Sequence, residues 1–340
     1  MTPYVPGTPL LVVEGLVKLF PGRRRGLFGP RSTIHAVDGA DFTLARGETL
    51  GIVGESGSGK TTLARTLLRL QTANAGRALL DGEDIFTASP AALKRLRRRM
   101  QVVLQDPYQA FNPRFTVSDI IAEAWRIHPD VLPRADWSRR TAELLEQVGL
   151  RASYGSRHPH EFSGGQRQRI GIARALALGP DLLVCDEPVS ALDVSVQAQV
   201  VNLLAEIQRT RNLSMIFVAH DLAVVRHISH RVAVMYLGKI VEIGTSEAVF
   251  ERATHPYTQA LLSAVPVADP VGREQRRRIV LRGDPPSPAA PPSGCRFRTR
   301  CWKATERCAA EEPALLDRLG TGSISACHHA GLQTSASGGS

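Results

Sequence analysis

The run GESGSGKT, Gly54 to Thr61, constrains this chain more than any other stretch. It matches G-x-x-x-x-G-K-[ST], a pattern that needs a strand, a tight glycine turn and a helix in direct succession. The flanks agree. "ETLGIVG" is a short apolar run ending in glycine, and "KTTLARTLLRL" carries apolar residues at helical spacing. Glycines let backbone N–H groups curl around phosphate oxygens with no Cβ in the way, and the helix N-terminus adds a favourable dipole. Gly54, Glu55, Ser56, Gly57, Ser58, Gly59, Lys60, Thr61 and Thr62 are therefore the expected nucleotide contacts. Lys60 is assigned to the β- and γ-phosphates and the Thr61 hydroxyl to Mg²⁺.

Strands and helices alternate through the rest of the chain. "LLVVEGLVKLF" and "TIHAVDGADFTLARG" read as antiparallel strands, and "RALLDGEDI", "MQVVLQD", "DLLVCDEP" and "LSMIFVAHD" as further strands. "VSDIIAEAW", "TAELLEQVG", "GGQRQRIGIARALAL" and "VSVQAQVVNLLAEIQRT" read as helices, and "RVAVMYLGKIVEIG" as a hairpin. This order predicts an α/β fold with a largely parallel sheet and a helical lobe inserted over about residues 106–180. Near residue 265 the composition shifts. "DPPSPAAPPSG", Asp284 to Gly294, reads as a stiff extended connector, and residues 331–340 as a disordered tail.

Composition limits the classes open to such a fold. With 43% apolar and 22% charged residues over 340 positions, this is ordinary globular material, and no apolar run reaches the length of a membrane span. "MTPYVPGTPLLVVEG" lacks a basic n-region and a small-residue cleavage site, so the chain is expected to remain in the cytosol with reduced thiols. The net charge of +10 gathers in "LKRLRRRM", "GRRRG" and "REQRRR". Solvated surface is the plain reading of each cluster; nucleic acid or an anionic membrane face is the other.

"LLVCDEP" supplies the carboxylates that phosphate chemistry needs. Its apolar residues place Asp186 and Glu187 at the C-terminal end of a buried strand. Asp186 is expected to hold Mg²⁺ through water and Glu187 to polarise the attacking water. Cys185 lies within that strand and reads as a small buried hydrophobe.

In "HPHEFSGGQRQR", Ser163, Gly164, Gly165 and Gln166 open a helix. Here the chain resembles the ATP-binding subunits of ABC transporters, whose signature is Leu-Ser-Gly-Gly-Gln, with Phe162 in place of Leu. The other family marks follow in order: Gln105 in "VVLQDP" as the Q-loop, "SALD" ending at Asp193 as the D-loop, and His220 in "IFVAHD" as the switch histidine. Phe20 in "KLFPG" is the matching adenine-stacking aromatic. The resemblance implies ATP hydrolysis by a RecA-like P-loop core carrying an antiparallel β subdomain and an inserted helical subdomain. It also implies Lys60, Glu187 and His220 as catalytic groups, with Thr61, Gln105 and Asp186 around Mg²⁺. In the family the signature contacts ATP held by the opposite subunit, so a dimer is implied.

"THPYTQALL" and the Pro/Cys-rich stretch after it resemble the C-terminal region of oligopeptide and dipeptide importer ATPases, which nickel importers share. The insert "FPGRRRGLFGPRSTIHAVDG" looks like that of the dipeptide-type F subunit. The implied setting is half of a heterodimer with a paralogous ATPase, on the cytoplasmic face of the inner membrane. Two transmembrane permease subunits and an external substrate-binding protein complete it, with no nucleic acid. A nickel or other small-solute importer stays open. A DNA-repair ATPase is disfavoured by the compact helical lobe, and a P-loop kinase by the Ser163–Gln166 signature. The expected division is a nucleotide-binding domain at 1–252, an extension at 253–330 and the tail.

Cys295, Cys301, Cys308 and Cys327 are separated by five, six and eighteen residues. In a reducing compartment four nearby thiols point to metal ligation before disulfides. The spacing lacks both paired C-x₂-C knuckles and a ferredoxin run, so zinc and a 4Fe-4S cluster both remain open. His328 and His329 can compete as zinc ligands, although surface histidines are the plainer reading. The family resemblance implies the 4Fe-4S cluster on all four cysteines.

Overall fold

The computed structural model describes residues 9–24, 31–265 and 279–332. Residues 25–26 of the GRRRG cluster, the basic cluster at 273–278 and all but the first residues of the expected tail lie outside them. The chain forms two compact units, each drawn from several segments. One comprises Met1–Leu11, Leu44–Thr49 and Leu79–Ala219; the other comprises Val12–Thr43, Leu50–Ala78 and His220–Ser340.

In the first unit three strands run parallel: β6 (Met100–Val103), β7 (Leu182–Asp186) and β8 (Ser214–Val218). β7 and β8 are buried at every position, which accounts for their unbroken apolar runs. The helices are α2 (Pro90–Arg99), α3 (Val117–Ile127), α4 (Trp137–Gln147), α5 (Gly164–Leu176) and α6 (Val194–Arg211). A Thr116–Asp119 capping box starts α3, and Val117, Ile120, Ile121 and Trp125 form its buried stripe. The Trp125 indole donates to the Ala177 carbonyl at 3.0 Å, tying α3 to the end of α5. The two-residue strand β5 (Glu83–Asp84) pairs with the end of β4 (Ala75–Leu80).

The basic run "LKRLRRRM" is helix α2, whose one buried residue is Leu96. Its arginines meet acidic groups from elsewhere in the unit. Arg95 pairs with Glu83, Arg98 with Asp130, and Arg99 with both Asp81 and Asp181. These are solvated ion pairs of small individual worth, and they neutralise much of the cluster.

In the second unit β1 (Pro9–Arg24) lies between β2 (Arg31–Ala45) and β4. β3 (Thr49–Val53) runs parallel to β9 (Arg231–Tyr236), which turns back into β10 (Lys239–Thr245). Leu237 and Gly238 make that turn at φ 43° and 81°, the two left-handed residues of a tight hairpin. Helices α1 (Lys60–Leu67), α7 (Leu222–Ile228), α8 (Ser246–Glu251) and α9 (Pro256–Ser263) complete this half.

The C-terminal residues join this unit through a strand of their own. β11 (Ser323–Ser325) pairs antiparallel with β10, from Glu242↔Ser325 to Gly244↔Ser323. The short helix α10 (Glu306–Ala310) holds buried Cys308. The proline-rich stretch has neither helix nor strand and is not a free spacer: the Pro288 carbonyl accepts the His35 N–H of β2 at 3.0 Å. No helix among the described residues is long and apolar enough to cross a membrane.

Candidate functional site

The phosphate loop lies in the second unit, between the end of β3 and the start of α1. Two of its glycines are fixed by close approach. A Cβ on Gly54 would stand 2.1 Å from the Met235 carbonyl oxygen, and one on Gly59 would stand 2.0 Å from the Ala36 carbonyl oxygen. Both positions have positive φ, so an L side chain is excluded by strain as well as by space. Lys60 is buried, and its ammonium donates to the Gly54 carbonyl at 2.8 Å and to the Glu55 carbonyl at 3.0 Å. The charge is thus held inside the loop by the loop's own backbone. The Ser58 carbonyl accepts from the Gly238 N–H at 2.9 Å, which fastens the loop to the β9–β10 turn.

Glu55 is held on every side. Its N–H donates to the Tyr257 hydroxyl at 2.8 Å, and its carboxylate accepts from Arg300 at 2.8 Å. Its carbonyl accepts the Ser58 N–H at 3.1 Å as well as the Lys60 ammonium. Tyr257 opens α9 and Arg300 lies between the first two C-terminal cysteines. Tyr236, Tyr257 and Phe297 pack around them, with ring centroids 4.6 to 5.4 Å apart. Burial raises the pKa of Tyr257, so its hydroxyl stays neutral. Phe20 sits half-buried on β1, with the Lys18 ammonium 4.7 Å from its ring centroid.

The first unit carries Gln105, Asp186 and Glu187 at strand ends and the signature residues and Asp193 at two helix starts, while His220 opens a segment of the second unit. Parallel pairing of Val103 with Cys185 brings Gln105 and Glu187 out two residues beyond the same rung of β6 and β7. Asp186 is the buried last residue of β7 and pairs with Val218, two residues before exposed His220. Glu187 adopts φ 50°, with its N–H on the Val218 carbonyl and its own carbonyl accepting from the Ser190 hydroxyl. The Cys185 thiol is fully buried; burial, with Asp186 adding, pushes its pKa up and leaves it inert.

The signature residues form a helix cap. Ser163 Oγ accepts the Gln166 N–H at 3.4 Å while Gln166 Oε1 accepts the Ser163 N–H at 3.1 Å. Asp193 caps α6 in the same manner, accepting from the Val196 N–H at 2.9 Å, and this bond leads in holding its carboxyl below the usual range. The two caps adjoin: a Cβ on Gly165 would come within 2.3 Å of Val196 Cγ1. Gln168, one turn into α5, donates to the Leu104 carbonyl at 3.1 Å and so pins the segment that carries Gln105.

All four C-terminal cysteines are free thiols. Burial, helped by the neighbouring Cys327, Cys295 and Cys308 and opposed by the Lys303 N–H that donates to its sulfur, raises the pKa of Cys301 to about 11. Cys295 and Cys327 are raised by burial too, each with charge from other members of the set. Backbone N–H groups of Lys303 and His329 point at Cys301 Sγ and Cys327 Sγ, both at 3.4 Å. His328 and His329 are bonded elsewhere, to the Glu311 carbonyl and the Thr305 hydroxyl. Among the described residues, no group of three or more His, Cys, Asp or Glu is arranged to hold a metal ion. The thiols therefore feel one another's charge without standing in a closed ligand cage.

Sequence reasoning singled out the loop and the carboxylates but not Tyr257, Arg300 or Gln168. No local pattern marks them, because each acts on a residue far along the chain.

Comparison with known proteins agrees with this arrangement. A family model described as ABC transporter matches residues 37–190, and one described as the C-terminal region of oligopeptide/dipeptide transporters matches residues 241–308. The oligopeptide transport ATP-binding protein AppF of Bacillus subtilis is 49% identical over 321 residues, covering 94% of this chain and 97% of its own length. A Brucella ovis protein named as a peptide import ATP-binding protein is 51% identical over 320 residues, covering 94% and 98%. Among solved structures, cbiO1 of Clostridium perfringens, part of an ABC transporter complex, aligns with a TM-score of 0.61 at 28% identity, over 71% of this chain and 90% of its own. An ATP-binding cassette in a dimeric post-hydrolysis state with ADP and phosphate aligns at TM-score 0.60 and 23% identity, a likeness of fold alone. With the phosphate loop, the paired carboxylates and the capped signature helix all in one chain, this protein belongs to the ATP-binding subunits of ABC transporters, in the oligopeptide/dipeptide transporter family.

Proposed function

We propose that this chain is the ATP-hydrolysing subunit that powers import of di- and oligopeptides across the cytoplasmic membrane, as half of an ATPase heterodimer. One observation carries the reading: a phosphate loop is joined in a single compact unit to the C-terminal region characteristic of oligopeptide/dipeptide transporters. The proposed working parts are a nucleotide-binding domain at 1–252, with its helical lobe, and the extension at 253–330. A paralogous ATPase, two permease subunits and an external substrate-binding protein are the proposed partners, at the cytoplasmic membrane face.

In the proposed mechanism the loop N–H groups and Lys60 bind the β- and γ-phosphates, and Phe20 stacks on the adenine. Glu187 accepts a proton from the attacking water, and His220 holds the γ-phosphate in line. Ser163 to Gln166 and Asp193 serve the nucleotide bound by the partner. Thr61, Gln105 and Asp186 offer hydroxyl, amide and carboxylate oxygens, a hard donor set suited to Mg²⁺. Magnesium, when bound, neutralises phosphate charge. Lys60 adds fixed positive charge where the γ-phosphate develops negative charge.

The test is transport itself. The chain is co-purified with its permeases and partner ATPase, placed in proteoliposomes, and supplied with ATP and a binding protein loaded with peptide or nickel. Peptide-dependent uptake and phosphate release support the reading. Uptake of nickel and not peptide replaces the solute, and recovery of DNA or ribosomes without permeases overturns the transporter assignment.

For Cys295, Cys301, Cys308 and Cys327 we propose a 4Fe-4S cluster. The donor types fit, four free thiols with backbone N–H groups aimed at two of the sulfurs, while no group of three or more among the described residues is arranged to hold a metal ion. A cluster would take all four as thiolates and fix the segment around them. Anaerobic purification with visible absorption and iron and sulfide analysis tests it; a colourless protein with one zinc per chain refutes it.

A further inference from the structure

The extension grips the phosphate loop from two sides. On one side Arg300, its side chain 8% exposed, binds the Glu55 carboxylate at 2.8 Å while the Tyr257 hydroxyl takes the Glu55 N–H. On the other side Arg296 donates to the Leu237 carbonyl at 2.6 Å and pairs with Asp38. The neighbouring Gly238 N–H then donates to the Ser58 carbonyl, and the Gly238 carbonyl accepts the Asp38 N–H, both at 2.9 Å. The two arginines stand four residues apart and each adjoins a cysteine, Cys295 or Cys301.

The chemistry of this contact is specific. Glu55 places a carboxylate directly after the first loop glycine, in a loop whose N–H groups must receive a polyanion. A partly buried carboxylate there opposes phosphate binding unless a cation neutralises it and draws it aside. Arg300 does both, with a fixed guanidinium that cannot lose its charge. Tyr257 meanwhile occupies the Glu55 N–H, so the N–H groups that face phosphate come from later in the loop.

We propose that Arg300 and Tyr257 are positioning residues of the nucleotide site, and that the cysteine-bearing extension sets the affinity of the phosphate loop for ATP. This rests on the reading of Gly54–Thr61 as the ATP phosphate site. Arg300 acts through the Glu55 charge, so its removal matters only while that charge is present.

The experiment is a double-mutant cycle on the full chain in its complex, with Arg300→Met and Glu55→Gln singly and together, read as the Kd of a fluorescent ATP analogue. Arg300→Met is expected to weaken binding about tenfold in the wild-type background and no more than about twofold in the Glu55→Gln background. Equal loss in both backgrounds means mere structural support and overturns the proposal, as does unchanged binding by a folded Arg300→Met. Where Arg300→Met does not fold, Tyr257→Phe carries the test, since it keeps the ring and removes the acceptor. It is expected to raise the KM for ATP severalfold with kcat retained, and an unchanged KM overturns the proposal. A wild-type complex that binds no ATP refutes the ATP reading itself, a separate outcome.

Discussion

At Glu187 the backbone adopts φ 50°, a left-handed conformation that costs a non-glycine residue on the order of 1 kcal/mol. Such positions persist where neighbours hold them, here the Val218 carbonyl and the Ser190 hydroxyl. Glu187 directly follows Asp186, the buried last residue of β7. Glu187→Gln keeps size and backbone but removes the base. Expected are retained ATP binding and a fall in turnover of at least about 100-fold, the lower range of general-base contributions. Phosphate release and nucleotide binding, measured on the same verified dimer, check it. Turnover near the wild-type rate sinks the assignment of Glu187 as base.

At the scale of elements, what was legible in the sequence follows from how local the signal is. β7 and β8 stood out because strands buried on both faces are apolar throughout, and α3 because its cap and apolar stripe lie within one window. α2 was hidden, since one buried leucine among arginines makes a poor stripe and the groups that neutralise them lie as far off as Asp181. The tie between Arg300 and Glu55 spans 245 positions and has no local trace. Glu242 is another such case, a fully buried carboxylate in the middle of β10. Its Oε1 accepts from the Thr254 N–H, the Thr254 hydroxyl and the Ser323 hydroxyl, and its Oε2 from the His255 N–H, all between 2.8 and 3.1 Å. One side chain thus joins β10, the start of α9 and β11. In Glu242→Gln the amide NH₂ must face a donor, so a loss of about 1–3 kcal/mol is expected. The denaturant midpoint reads it, and an unmoved midpoint shows that this junction does not stabilise the fold.

At the scale of the whole molecule, the C-terminal extension is structural material of the unit that holds the phosphate loop. Phe297, Cys308 and Cys327 are buried in it, and β11 extends its sheet. The same packing makes this unit sensitive to acid through His255, the cap of α9, whose Nδ1 accepts the Tyr257 N–H at 3.1 Å. Burial, with Lys303 adding, lowers the His255 pKa from 6.5 to about 3 against the hydrogen bond to the Ala326 backbone. Between about pH 3 and 6.5 the ring is therefore neutral in the folded chain while the unfolded chain protonates it. Its contribution is fully present above the unfolded value of 6.5 and is lost as pH falls from there toward 3. The slope is at most about 1.4 kcal/mol per pH unit for one proton. Carboxylates add their own acid dependence, so the measurement compares wild type with His255→Asn, which keeps a capping oxygen and cannot titrate. Between pH 6.5 and 5 the wild-type Tm is expected to fall more steeply than that of the variant. Parallel profiles would place the acid sensitivity of this unit in other groups.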